Sequence, residues 1–521
     1  NGLSVVRVAE LEKVDSLHPG IGFLSENAQF AELCRNHGIN FIGPPVTSME
    51  TMGNKSNAIS TARSLGVPVV PGSYGILTSV ERAAQVAEDI GYPVLIKAVH
   101  GGGGKGIQVV ESPEAFHDLF HQVQAEARNA FGNGDVYLEK FVTSMRHIEA
   151  QLLRDHHGNA FVLGIRDCSV QRDKQKVVEE SGSTALTPAL EAQVRESTLA
   201  LAHEVDYVGA GTVEFILDVV NDAVYFMEMN TRLQVEHPVT EKVCGVDIVA
   251  EQFRVAGGAS IKDLTPGSNG YSIEVRLNAE KVTKAGGKLV FRPDPGEITE
   301  WVMPENEAID IIASGGPGKV ISPFYDSMVA QIIIHGTDRR DAAGKLAAYL
   351  DSVRVKGICT NLALLRKILR DEVFLSGDYD TSYLPNFLAT LDADALIEEI
   401  EQEAGKDSSA VSLEALAIEG SDELKVLSPS TGIFYITPSP SEPEYVSVGE
   451  EGSVSKTLCQ LEAMKIFSPL TLASFNQAEQ ALYPEEQRYV VTRINIANGQ
   501  QVNAGDLLFV VKPKPALESA A

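Results

Sequence analysis

Positive charge is scarce in this sequence beside negative charge. In 521 residues, 43 Lys and Arg stand against 71 Asp and Glu, a formal net charge of −28. A surface of that sign repels nucleic-acid phosphates and anionic lipid head groups, so neither nucleic acid nor a membrane is an expected partner. No apolar run is long enough to cross a bilayer, and the first residues lack the charged region, apolar stretch and small-residue cleavage site of a signal peptide. Cysteine is scarce and scattered. Cys34, Cys168, Cys244, Cys359 and Cys459 are odd in number and form no C-x-x-C pair, which argues against a disulfide framework or a zinc site and for a reducing, cytoplasmic setting. A Walker A motif is missing as well. What remains is a chain long enough for about three or four domains, with 44% hydrophobic residues to fill their cores.

The pattern along the chain is α/β first, then α+β, then all-β. Up to residue 41 it reads as strand, loop, helix and strand: Asp15-Ser-Leu, His18-Pro-Gly-Ile-Gly-Phe, a helix over Glu26 to His37, and Ile39-Asn-Phe-Ile. A helical stretch from Thr47 to Leu65 closes at Gly66, and alternating strands and helices follow from Val67 to about Phe141. Residues 142–390 form the largest block, with strands expected at Ile148 to Leu153, Thr212 to Asp218, Val224 to Met229 and Ser272 to Ala279. The acid-rich stretch 391–423 has the composition of a solvated helix or linker. Residues 424–513 have short strands, many turns and a weak internal repeat, in which Gly449-x6-Lys-Thr-Leu458 resembles Gly499-x6-Asp-Leu-Leu508, and a small all-β module with two related halves is expected.

Three segments carry chemistry. Lys97-Ala-Val-His-Gly101-Gly102-Gly103-Gly104-Lys105-Gly106 puts a run of glycines directly after an apolar strand, between two cations. Backbone N–H groups without Cβ obstruction can close on phosphate oxygens there, the alternative being a flexible hairpin loop. Next, the apolar runs around Glu214 and Glu228 flank a turn at Asn221-Asp222. With Asn221 as pivot the two glutamates are directly opposed, which costs stability unless a cation lies between them. Period two would then line up Glu228, Asn230, Arg232, Gln234 and Glu236 on one face. Carboxylates with a carboxamide are hard oxygen donors suited to Mg²⁺, the fork of Arg232 suits a small planar anion, and Glu236 beside it can act as general base. A half-buried strand with a solvated polar face is the plainer alternative. Finally, Gln460-Leu-Glu-Ala-Met-Lys465-Ile places a lysine between two short β-like runs, as an amine offered for modification or as an ordinary surface residue. His18 and His147 read as structural histidines at least as readily as catalysts, and the cysteines as packing residues.

Together these segments resemble the biotin carboxylase family of ATP-grasp enzymes, followed by a biotin carboxyl carrier domain. The resemblance rests on His18-Pro-Gly-Ile-Gly-Phe-Leu-Ser-Glu-Asn, Phe41-Ile-Gly-Pro, Met52-Gly-Asn-Lys55, the glycine loop, Arg166-Asp-Cys-Ser-Val-Gln171, Gln175-Lys176-Val-Val-Glu-Glu, Glu228-Met-Asn-Thr-Arg-Leu-Gln-Val-Glu-His, Glu274-Val-Arg276-Leu-Asn-Ala-Glu and Leu461-Glu-Ala-Met-Lys465-Ile. It implies a partial N-terminal domain at 1–41, a linking helix and ATP-grasp lid at 42–141, a central and C-terminal domain at 142–390, a linker at 391–423 and an all-β biotinyl carrier at 424–513. It also implies that Lys55, Lys97, Gly101 to Gly104, Glu139, Lys140, Val142, His147, Gln171 and Lys174 meet ATP. Glu214, Glu228 and Asn230 would bind Mg²⁺ or Mn²⁺, and Lys176, Arg232, Gln234, Val235 and Glu236 would hold bicarbonate. Glu236 would deprotonate bicarbonate for attack on the γ-phosphate, giving carboxyphosphate. Arg276 would stabilise the biotin enolate as it attacks CO₂, and Lys465 would carry the biotin.

The implied partners are carboxyltransferase subunits, biotin protein ligase and a second copy in a homodimer. The Thr437-Pro-Ser-Pro segment resembles the thumb of bacterial acetyl-CoA carboxylase carriers, which points to acetyl-CoA as acceptor and to fatty-acid synthesis, with propionyl-CoA, another acyl-CoA or pyruvate as alternatives. A catalytically inactive scaffold and a lipoyl rather than biotinyl carrier are rival readings. The family begins with a strand, helix and strand that do not precede Asn1, so an N-terminal truncation is expected. Ile21, Lys174 and Gln331 replace the usual Tyr, His and Lys of the family motifs.

Overall fold

Local signals shape the N-terminal elements. The Asn1 side chain caps helix α1 (Gly2–Glu12), which ends at Lys13 in the left-handed region (φ 55°). Strands β1 (Ser16–Leu17) and β2 (Asn40–Phe41) pair in parallel, and helix α2 (Ala28–Asn36), capped by Asn27, lies between them in sequence. Helix α1 has no counterpart in the sequence reading. The single helix expected over Thr47 to Leu65 is two, α3 (Val46–Gly53) and α4 (Lys55–Ser64), because Asn54 ends one in an extended conformation and caps the next through Asn57 N–H. Gly66 does turn the chain, at φ 73°.

The computed structural model describes residues 1–102, 105–131, 133–285, 288–405, 416–418, 420–439, 442–464, 466–475, 483–484 and 487–514. They fold as two compact units. One comprises Asn1–Ile273 with Thr337–Arg339 and Ser376–Tyr383, and the other Glu274–Gly336, Arg340–Leu375 and Leu384–Ala521. Among the described residues no helix is long and apolar enough to cross a membrane.

In the first unit, helix α5 (Val80–Ile90), strands β3 (Val94–Gly102) and β4 (Lys105–Val110), helix α6 (Pro113–Phe131) and strand β5 (Val136–Lys140) build a small sheet of order β4-β3-β5. Phe116 and Phe120 of α6 are buried against Val94, Ile96 and Leu138, each burial being worth roughly 1.5–3 kcal/mol. The larger sheet contains β6 (Met145–Arg154), β7 (Ala160–Arg172), β8 (Gln175–Ser181), β9 (Gly209–Asp218) and β10 (Ala223–Asn230), antiparallel in the order β10-β9-β6-β7-β8. Helix α7 (Pro188–Glu204) covers one face, packing Leu190, Val194 and Leu201 onto Ile148, Ala150, Leu152, Phe215 and Phe226. Alternation leaves the polar residues of the same strands on the other face. Strand β10 ends at Asn230, so the period-two strand expected to run on to Glu236 is not formed. A loop follows, and Glu236 occupies the N-cap position of helix α8 (His237–Cys244).

The strand Tyr271–Asn278, whose residues from Glu274 on belong to the second unit, and the strands Met328–Gly336 and Ile309–Ala313 are neighbours in that order. The acidic stretch 391–423, expected as a solvated helix or linker, contributes a helix packed into a core. In the helix Ala393–Glu403 and its C-cap Ala404, the i, i+4, i+8 residues Leu396, Ile400 and Ala404 join Val282, Cys359 and Ala363 in a core. The acids on its other faces meet cations, Glu399 with Lys367 at 2.7 Å and Asp394 with Lys284 at 2.6 Å. Beyond it are two four-stranded sheets. One has the order Leu424–Leu427, Leu507–Pro513, Arg488–Ile494, Glu451–Ser453, and the other Ile466–Thr471, Thr457–Ala463, Gly432–Tyr435, Gln500–Val502. The two strands after Gly449 and the two after Gly499 take equivalent places in opposite sheets, which is the structural form of the repeat in the sequence.

Candidate active site

One rung of the large sheet sets four charged residues side by side. Across β7, β6, β9 and β10, Arg166 is paired with Glu149, Glu149 with Glu214, and Glu214 with Glu228. Near its turn the β9–β10 hairpin pairs Ala223 with Asp218 and Phe226 with Phe215. A bulge between Phe226 and Glu228 then shifts the register by one and brings Glu228 opposite Glu214. Bulges of this kind re-aim side chains beside functional sites.

Adjacent buried carboxylates need compensation. Arg166, fully buried, uses all five donors: Nε to Glu149 at 2.9 Å, Nη1 to Gln151 at 2.8 Å and Thr240 at 2.9 Å, and Nη2 to Thr212 at 3.3 Å and Gln234 at 2.8 Å. The ammonium of Lys176 on β8 bonds Glu149 and reaches Glu236 Oε1 at 2.5 Å, with Glu214 3.8 Å away. Burial works against that ammonium, but Glu149 and Glu236 outweigh it and hold Lys176 well above its ordinary range, so it remains a cation. His147 Nε2 lies 2.9 Å from Glu214 and its Nδ1 lies 2.7 Å from Gln171 Nε2. Burial opposes the charged ring, yet Glu214 and Glu149 raise it overall. Glu214 is buried too, and the hydrogen bond from His147 holds it well below the carboxylate range. Glu228 moves the other way, raised by burial and by the charge of Glu214.

The loop after β10 completes the cluster. Asn230 Nδ2 donates to Glu214 at 2.5 Å, and Gln234 Nε2 donates to the same oxygen at 2.8 Å. Arg232 Nη2 donates to Asn230 Oδ1 at 3.2 Å, and its Nε to Glu26 at 3.0 Å. Glu26 also accepts from Thr231 N–H at 3.0 Å, so it fixes the loop from outside. Val235 lies half-buried between Gln234 and Glu236.

Among the described residues two sets of ligand atoms each lie within 4.8 Å of one another: His147, Glu149 and Glu214, and Glu149, Cys168 and Glu236. Their chemistry argues against a metal in either. Glu149 is engaged by two cations, both ring nitrogens of His147 are engaged, by Glu214 and Gln171, and burial keeps the Cys168 thiol well above its usual range. Glu214 and Glu228, opposed across the rung with Glu228 raised by its neighbour, are the donors a divalent cation would relieve. Asn230 would offer the oxygen now facing Arg232.

The remaining expected residues are spread more widely. Lys55 is exposed at the start of α4, with its charge acting on Glu228. Lys97 on β3 forms an ion pair with Glu139 on β5, so two expected ATP contacts hold each other. Lys140 spends its backbone N–H on the Pro71 carbonyl at 2.7 Å and its ammonium on Gly91 at 2.8 Å and Tyr92 at 3.1 Å, which leaves that N–H engaged rather than available to a base. Val142 is half-buried after β5. Gly101 and Gly102 end β3, while Gly103, Gly104 and Lys465 lie outside the described residues. Asp173 and Lys174, both at positive φ, form the exposed two-residue turn from β7 to β8. Arg276 belongs to the second unit, where Asn361 Nδ2 holds its carbonyl at 2.9 Å. Gln331, in place of the family's Lys, donates to buried Glu274 at 2.8 Å. His18 is structural, bonded to Gln252 at 3.2 Å and stacked on Phe253. Glu149, Arg166 and Glu26 were not assigned roles from the sequence. Period two from His147 places Glu149 on the same face, a signal that was there to read.

Family models match three stretches of the chain. They are the biotin carboxylase N-terminal domain over residues 1–49, the carbamoyl-phosphate synthase L chain ATP-binding domain over 54–264, and the biotin carboxylase C-terminal domain over 274–386. Biotin carboxylase 1 of Bacillus subtilis (strain 168) is 44% identical over 389 residues, spanning 74% of this chain and 85% of its own. The chain belongs to the biotin carboxylase family. Among solved structures, a biotin carboxylase–beta-gamma-ATP complex from Campylobacter jejuni is 39% identical with a TM-score of 0.66, over 74% of this chain and 85% of that one. A single-chain, multi-domain long-chain acyl-CoA carboxylase is 27% identical with a TM-score of 0.62, and the match covers 99% of this chain and 45% of that one.

Proposed function

We propose that this biotin carboxylase couples ATP cleavage to carboxylation of biotin carried on its own all-β module at Lys465, as the first half-reaction of an acyl-CoA carboxylase of the acetyl-CoA type. The observation that carries the reading is the placement of Lys176, which the rung glutamates keep charged beside Glu236. Lys176, Arg232, Gln234 and the Val235 backbone would hold bicarbonate by charge and hydrogen bonds. Glu236 takes its proton as the bicarbonate oxygen bonds to the γ-phosphorus and the bond from phosphorus to ADP breaks, leaving carboxyphosphate. Carboxyphosphate separates into CO₂ and phosphate, the phosphate removes the N1′ proton of biotin, and N1′ attacks CO₂ with Arg276 stabilising the enolate charge. Glu214, Glu228 and Asn230 would hold Mg²⁺ or Mn²⁺, which supplies charge neutralisation at the transferring phosphoryl group.

Lys55, Lys97, the glycine loop and His147 are the phosphate-side groups in this reading, with Gln171, Glu139, Lys140, Val142 and Lys174 on the nucleoside side. Carboxyltransferase subunits would accept the carboxyl group, biotin protein ligase would load Lys465, and the carboxylase part would pair as a homodimer. A longer acyl-CoA acceptor is the second reading, favoured by the long-chain acyl-CoA carboxylase that matches nearly the whole chain. The test is ADP release with free biotin. Release that needs both bicarbonate and Mg²⁺ is expected, and ADP release indifferent to bicarbonate would contradict it.

A further inference from the structure

On the same strand as Lys176, four residues on, Glu180 is buried in a second polar cluster that the reaction itself does not use. Arg339 grips its carboxylate with both arms, Nε to Oε2 at 2.6 Å and Nη2 to Oε1 at 2.9 Å. Tyr271 OH donates to Oε2 at 3.0 Å, and Tyr379 OH donates to Oε1. Arg146, stacked 4.3 Å above the Tyr379 ring, joins Asp167 at 2.9 Å and the Gly377 carbonyl, which also accepts from Thr184 Oγ1 at 2.6 Å. Gly377 itself must be glycine, since φ is 76° and a Cβ would lie 2.7 Å from Thr184. The segments Thr337–Arg339 and Ser376–Tyr383 are thus tied to β6, β7 and β8, far from them in sequence.

A buried ion pair is seldom there for stability, because well-packed apolar residues do as well. What it can supply is a single register. Register is at issue here. Asp167 pairs with Glu180, Val170 with Val178 and Gln171 with Lys176, with irregularities between each of these pairs. The two shifts offset each other, so Gln171–Lys176 keeps the register of Asp167–Glu180, and a one-residue slip at Glu180 would turn Lys176 away from Glu236.

We propose that Arg339, Tyr379 and Tyr271 are positioning residues for the bicarbonate site, fixing Glu180 and with it the register that presents Lys176 and Gln171. The inference rests on Lys176 as a bicarbonate ligand. The experiment is steady-state ADP release with bicarbonate and ATP varied in turn, on the full chain and on Tyr379→Phe, Arg339→Lys and the control Tyr207→Phe. The control removes an equally buried hydroxyl that bonds only the Ala210 carbonyl, at 2.9 Å, among the described residues. Bicarbonate KM is expected to rise about tenfold in the first two variants, with ATP KM within about twofold and all three proteins folded. Unchanged bicarbonate KM in Tyr379→Phe and Arg339→Lys, with melting temperatures lowered as in Tyr207→Phe, would make the cluster a structural fastening and overturn the proposal. Wild-type ADP release without bicarbonate dependence would overturn the underlying site reading and the proposal together, and the unmutated chain alone shows which has failed.

Discussion

Glu149 on β6 and Glu214 on β9 are direct cross-strand partners, two buried carboxylates side by side on one sheet face. Like charges so placed are destabilising unless cations are built in, and Arg166, Lys176 and His147 supply them. Replacing Glu149 by Gln keeps the shape and removes the charge that Arg166 and Lys176 share. Removing one partner of a buried pair costs about 3 to 5 kcal/mol, so a loss of that order is expected in urea unfolding of Glu149→Gln. A change under about 1 kcal/mol would mean that the rung is compensated in another way.

Divalent cation should bind through the other half of the rung. Mg²⁺ with a non-hydrolysable ATP analogue is expected to raise the melting temperature of the wild-type chain above the analogue alone, since a ligand present at about 100 times its Kd adds about 2.7 kcal/mol. In Glu228→Gln the extra Mg²⁺-dependent rise should disappear. If the variant keeps it in full, Glu228 is not a ligand.

Asp155 makes a separate prediction about acid. Its carboxylate is buried, which opposes ionisation. Hydrogen bonds from the Asn159 side chain at 2.7 Å, Ile261 N–H at 2.8 Å, and Asn159 and His157 N–H at 2.9 Å outweigh burial and lower it from 3.8 to about 2. A carboxylate lowered by folding stabilises the protein above its unfolded value and loses that contribution as pH falls through the folded one. About 2 kcal/mol should therefore be present at pH 6 and fade between about pH 5 and pH 2, and Asp155→Ala should flatten that part of the stability profile. An unaltered acid limb in the variant would contradict the assignment.

Lys465 follows Met464, whose backbone is in the left-handed region at φ 51°, and the flanking strands close with Ala463 opposite Ile466. Co-expression with biotin protein ligase should add a single biotin to the wild-type chain by intact mass and none to Lys465→Arg. Biotin on the variant, or none on the wild type, would rule out Lys465 as the attachment site.

Most of the site was legible because its residues lie close together in sequence. Asn230 to Glu236 fall in one short segment, and the opposition of Glu214 and Glu228 follows from the position of a turn. The reason given for that opposition was incomplete. Symmetry about Asn221 fails near the turn, where Ala223 pairs with Asp218, and only the bulge before Glu228 restores it. No periodicity rule places a bulge. Glu149 and Arg166 were given no role for a different reason, since their partners come from strands whose adjacency a sequence does not state. The acidic helix Ala393–Glu403 misled through composition. Its charges suggested a linker, while Leu396 and Ile400, one helical turn apart, carry the packing.

The central claim is that Glu236 activates bicarbonate for transfer to biotin, and the most direct measurement follows labelled bicarbonate carbon onto free biotin in the presence of MgATP. The wild-type chain is expected to transfer label, and Glu236→Gln to transfer it about 100-fold more slowly or worse while still binding the ATP analogue. Wild-type rates in Glu236→Gln would contradict the assigned base, and no transfer by the wild type would contradict the account as a whole.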